Sequence, residues 1–205
     1  MKRVAAVVFV AVLITAAVQA DVIYNNFGPG DTYYLGNGWL VAGPDTGTSQ
    51  SVAMPFTPSG SYTLDTATVA VGHINGTNSF DLALYDDASG LPGAALETWT
   101  GISAGAYQSP GGAETVVSVT NPLLASGSQY WLVATPGADD TRDAWMYTTG
   151  LTAGLFAYAQ GGPWISYTDT LSAFRVTGSP ASVPEPCTCA LFALGALGLL
   201  RRRRK

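Results

Sequence analysis

Between residues 21 and 182 the chain alternates short apolar-rich runs with clusters of Gly, Ser, Thr, Asn and Pro, and no helical periodicity lasts longer than two turns. That spacing predicts an all-β fold, an antiparallel β-sandwich of jelly-roll or lectin-like type. The predicted strands are Val22–Phe27, Gly38–Ala42, Gln50–Phe56, Tyr62–Val71, Ser79–Tyr85, Ala94–Thr100, Glu114–Val119, Ser128–Thr135, Ala144–Thr148 and Ala173–Thr177, with short additions near Phe156 and Trp164. Phe80, Leu82 and Leu84 alternate with Asp81 and Ala83, and Phe174 and Val176 flank Arg175, so each run turns one side to a core. Tyr130-Trp131-Leu132-Val133-Ala134 is apolar on both sides, which predicts a central or covered strand. Asn75-Gly76, Asp86–Gly93 and Ser109–Gly112 are the clearest turns.

The ends of the chain follow other rules. Lys2 and Arg3 precede an apolar stretch from Val4 to Ala17, and Val18-Gln19-Ala20 places small residues where a signal peptidase reads, so residues 1–20 are expected to be a secretory signal peptide cut before Asp21. After the body at 21–178, a linker at 179–186 carries Val183-Pro184-Glu185-Pro186; an apolar segment at 187–200 follows, then Arg201, Arg202, Arg203, Arg204 and Lys205. Five terminal cations are the cytoplasmic stop that the positive-inside rule expects of a membrane helix. The helix is short, 14 residues against the roughly 20 that span a bilayer, which suits a transient anchor better than a permanent one.

This tail resembles the PEP-CTERM sorting signal of bacterial exported proteins, which joins a Pro-Glu-Pro motif, a short membrane helix and an Arg-rich end. The resemblance covers about the last tenth of the chain. It implies recognition and removal of the tail by an exosortase, and a protein of the cell envelope or the extracellular space. Cys187 and Cys189 stand where small or hydroxylated residues are more usual; one residue apart, they are too close for an ordinary disulfide and read as small apolar residues at the membrane boundary.

Loss of both ends changes the electrostatics. The whole chain has a formal charge of −5, yet residues 21–186 keep only Arg142 and Arg175 against 14 carboxylates, a charge of −12. Such a body cannot neutralise phosphates and is not expected to bind nucleic acid. It has no cysteine, and its length suffices for one ordinary core without disulfides.

The body contains Phe56-Thr57-Pro58, Tyr62-Thr63-Leu64, Leu84-Tyr85-Asp86, Leu91-Pro92-Gly93, Tyr130-Trp131-Leu132-Val133, Trp145 and Phe174-Arg175-Val176 in that order. The succession is similar to the choice-of-anchor domains of bacterial surface proteins. It implies an extracytoplasmic β-sandwich and supplies no catalytic residues.

Candidate chemistry in the body is sparse. His73 is the only histidine, placed in a predicted turn without a nucleophile elbow, and reads as a surface-loop residue. Glu97 and Glu114 are the body's only glutamates and the one pair that could serve glycoside hydrolysis; both are expected on solvent-facing strand positions. Asp139, Asp140 and Asp143 form the densest acidic cluster, a set of oxygen donors suited to Ca²⁺ or simply a solvated loop. Trp145 with Arg142 is the candidate glycan contact, although at least three of the five tryptophans are expected in the core. No catalytic residue and no obligate cofactor is expected. The leading reading is a non-catalytic exported surface or matrix protein; the alternatives are a calcium-assisted carbohydrate-binding module and, behind it, a glycoside hydrolase. Its partners are signal peptidase, exosortase, the membrane and a polysaccharide.

Overall fold

The computed structural model describes residues 20–181. The sorting tail, and all of the expected signal peptide except Ala20, lie outside the described residues.

Among the described residues, fourteen strands account for nearly all regular structure: β1 (Asp21–Asn25), β2 (Gly38–Ala42), β3 (Ser51–Phe56), β4 (Tyr62–Asn75), β5 (Phe80–Asp87), β6 (Pro92–Ile102), β7 (Gly105–Ala106), β8 (Ala113–Val117), β9 (Leu123–Leu124), β10 (Tyr130–Pro136), β11 (Arg142–Met146), β12 (Ala153–Ala159), β13 (Ile165–Thr170) and β14 (Phe174–Pro180). One sheet runs β1-β14-β4-β11-β2, with β7, β8 and β9 also pairing with β4, and the other runs β13-β12-β3-β10-β5-β6. All pairings are antiparallel except the two-residue contact of β4 with β7. Every expected strand is present within a few residues, the additions near Phe156 and Trp164 are β12 and β13, and only the two-residue β7 and β9 were not foreseen.

The two sheets share one core. Val41, Leu64, Ala67, Val69, Val71, Trp145, Phe174 and Val176 of the first sheet meet Val52, Met54, Phe56, Phe80, Leu82, Leu84, Leu132 and Phe156 of the second. Alternation explains most of this set, because residues two apart share a side of a strand. On β4 the inward residues change parity between Leu64 and Ala67. The change coincides with a register shift opposite Thr177 and Gly178, where an extra residue reverses which side faces in. The outward Thr66 and Thr68 bond to Thr177 and Thr115 across the ladder, at 2.7 and 2.9 Å between hydroxyls.

β10 lies between β3 and β5, as its two-sided apolarity requires. Its outer side is covered too: Trp131 and Val133 pack with Ala53 and Ala157 beneath Tyr85, Leu91 and Trp164. The Trp131 indole donates to Asp87 Oδ1 at 2.8 Å, so the wide β5–β6 turn is tied to that cover.

Candidate functional site

The acidic segment before β11 divides as it enters the sheet. Asp139 and Asp140 stay exposed in the loop, and a bond from Thr77 holds the Asp140 carboxyl below its ordinary range. Asp143 lies on β11 with its side chain wholly buried. Its register partner is His73 on β4, and Oδ1 sits 2.7 Å from His73 Nδ1. Oδ2 has no hydrogen-bond partner. Burial pushes the Asp143 carboxyl above its ordinary value, and the bond and charge of His73 only partly oppose it. The three aspartates therefore do not converge, and no group of three or more His, Cys, Asp or Glu side chains placed to hold a metal occurs among the described residues. His73 is not a loop residue: β4 continues to Asn75, and the histidine is a half-buried strand residue paired across the ladder.

Trp145 shares the inward side of β11 with Asp143 and is fully buried. Its indole donates to the Ala173 carbonyl at 2.9 Å, and its ring meets Phe174 edge-on. Arg142 is exposed. The two expected glycan contacts are thus separated, with the tryptophan given over to packing. Of the five tryptophans, Trp131 and Trp145 are buried, and Trp39, Trp99 and Trp164 are half-buried.

Glu97 was expected to face water but is 7% exposed. Its Oε2 accepts from Ser118 Oγ at 2.5 Å, and Oε1 accepts from the backbone N–H of Val119 at 2.6 Å and of Thr120 at 3.2 Å. Burial alone would raise this carboxyl; the donors outweigh it and hold the group below the ordinary glutamate range. Glu97 organises the turn after β8, a buried polar group with its partners supplied. Glu114 sits half-buried on β8, paired with Val69 in the other sheet. The two glutamates occupy different sheets, and one of them is fully engaged in structure.

A group of aromatic rings lines a cleft elsewhere. A cleft of about 260 Å³ opens between the β2 edge of one sheet and the β12–β13 edge of the other, lined by Trp39, Gln50, Phe156, Tyr158, Gln160, Tyr167 and Asp169. Trp39 stacks on Phe156 at 4.3 Å between centroids and donates its indole N–H to the Thr170 carbonyl at 2.7 Å, which joins the two sheets here. Reading the sequence did not find this group, because its members come from four separate stretches. The one local signal was Tyr158 and Tyr167 in segments with little else to bury.

Residues 182–205 match the family model described as the PEP-CTERM protein-sorting motif. The chain carries a PEP-CTERM sorting signal. The match includes Val183, Pro184, Glu185 and Pro186 and the Arg201–Lys205 run, which bears out the resemblance of the tail to that sorting signal. PEP-CTERM signals are processed by exosortase, and the motif implies export and exosortase-dependent sorting to the cell envelope. No curated protein and no solved structure matches the chain.

Proposed function

We propose that this PEP-CTERM protein is a non-catalytic surface component of the cell envelope or its matrix, exported through a cleaved signal peptide at 1–20. A membrane helix at 187–200 then holds it while exosortase acts. The body serves as a folded display module of choice-of-anchor type and works without a bound cofactor. The observation that carries this reading is the sorting motif placed behind an acidic two-sheet body. The engagement of Glu97 by Ser118, Val119 and Thr120 supports the non-catalytic half, since a carboxylate held by three donors is a poor acid or nucleophile.

Fractionation of cells producing the full chain, with and without exosortase, tests the sorting half. The expected result is a tail-free surface or released form that needs the enzyme; exosortase-independent maturation would defeat it. Incubation of the protein with polysaccharides tests the other half, the expected result being no new reducing ends.

A further inference from the structure

The second sheet is wider than the first at one side. Beyond β3 it continues through β12 to β13, whereas the facing sheet ends at β2. Register shows what this overhang presents. Tyr167 pairs with Phe156, and Ile165 pairs with Tyr158, so these four side chains share one side of the sheet. Phe156 is buried in the core, yet Ile165 and Tyr167 on the overhang are 49% and 60% exposed. The inward side of the sandwich thus runs out from under its partner as an aromatic ledge, closed at the back by Trp39 of β2.

The polar groups around the ledge are positioned. Gln50, 8% exposed, donates to the Leu40 carbonyl at 2.9 Å and accepts at Oε1 from Gln160 Nε2 at 3.0 Å. That chain fixes the Gln160 amide at the cleft with its own Oε1 outside these bonds. Asp169 uses Oδ1 to accept from the Thr170 N–H at 2.6 Å and from its hydroxyl at 3.3 Å, and neither bond engages Oδ2. Rings that offer flat apolar faces, amides and a carboxylate at the margin, and the tyrosine hydroxyls match a pyranose, whose C–H faces stack and whose equatorial hydroxyls bond sideways.

We propose that this cleft is a binding site for an uncharged polysaccharide, one pyranose unit stacking on Tyr167 and Tyr158 against Trp39, with Asp169 and Gln160 holding its hydroxyls. The charge of −12 over residues 21–186 and the carboxylate at the cleft oppose a uronate or sulfated chain. The volume of about 260 Å³, open at the sheet edge, suits one unit of a continuing chain rather than an enclosed small molecule. β14, the last described strand, lies three strands away from β2 in the first sheet, about 14 Å across the ladder. The site rests on the surface-component reading and names what that component would hold.

The test uses the full-length protein in detergent, titrated calorimetrically with gluco-, manno-, xylo- and galacto-pentaoses and with polygalacturonate, while Trp fluorescence is recorded. Binding of at least one neutral pentaose is expected, with a blue shift, and with affinity reduced at least tenfold in Tyr167→Ala and in Asp169→Asn. Both residues are surface groups, so melting temperatures should stay at the wild-type value; Trp39→Ala is left aside because its ring also packs the core. Failure to bind any neutral pentaose, binding unaltered in both variants, or preference for polygalacturonate would overturn the proposal. So would a concentration-dependent dimer lost in Tyr167→Ala, which would make the ledge a contact between copies. Cleavage of a bound pentaose would defeat the non-catalytic reading and leave the site intact, whereas exosortase-independent maturation would defeat the sorting reading alone.

Discussion

His73 and Asp143 face each other across the β4–β11 ladder with 2.7 Å between Nδ1 and Oδ1, the carboxylate wholly buried and its second oxygen unpartnered. With His73→Ala, Asp143 loses its side-chain partner, which should cost about 1–3 kcal/mol. Urea denaturation at neutral pH measures this, and an unchanged midpoint would show that water already serves the carboxylate.

The same pair sets a pH dependence. Burial raises the Asp143 carboxyl above its unfolded value of about 3.9, so the folded state holds that proton more tightly than the unfolded chain does. Its contribution to stability is fully present below about pH 3.9 and is lost as pH rises through the raised folded value. Asp143→Asn keeps an acceptor for His73 and removes the titration. The difference in unfolding free energy between wild type and this variant should therefore shift in the variant's favour as pH rises from 3.5 to 7, and a difference independent of pH would refute the assignment.

Glu97 should behave in the opposite sense. Its donors depress the carboxyl, so its contribution is present above about pH 4.3 and is lost as pH falls through the depressed folded value. Glu97→Gln retains the shape but replaces one acceptor by an NH₂ group facing donors. A loss of about 1–3 kcal/mol is expected near pH 7, shrinking in acid, as measured by denaturant unfolding across that range.

Gly76 turns the chain between β4 and β5 with φ +80°, and a Cβ there would fall 1.8 Å from the Asp140 carbonyl oxygen. Gly76→Ala should destabilise by about 1–3 kcal/mol, through both the left-handed backbone and the displaced Asp140 loop. Thermal unfolding followed by circular dichroism reads the effect, and an unshifted transition would mean that the loop yields freely.

Replacing Pro184, Glu185 and Pro186 by alanine should leave a longer, membrane-retained form on immunoblots of fractionated cells. Normal trimming of that variant would show that the tail is read by another feature, such as the arginine run.

Much of this molecule was legible in its sequence because the signals are local. Phe80, Leu82 and Leu84 had to share one side of a strand, and all three are fully buried. Tyr130–Ala134, apolar on both sides, had to be covered twice, and it is, by the core and by the Trp164 and Leu91 cover. The sorting tail is linear and is read by order and spacing alone. The sites fared differently. Asp143 and Trp145 were grouped with Asp139, Asp140 and Arg142 by proximity along the chain, yet a strand turns neighbours to opposite sides. The residues brought to one cleft were Trp39 and, more than a hundred positions later, Tyr158, Tyr167 and Asp169.

By itself the sequence determined the all-β class, the placement of the main strands, the acidic body and the address at its C-terminal end, since period-two alternation, turn chemistry and a linear motif each act over a few residues. Only the tertiary structure decided that His73 meets Asp143, that Glu97 is consumed by the turn after β8, and that one sheet outreaches the other to expose Tyr167. Those outcomes depend on ladder register and on how two sheets of unequal width close over one core, and no local stretch carries that information.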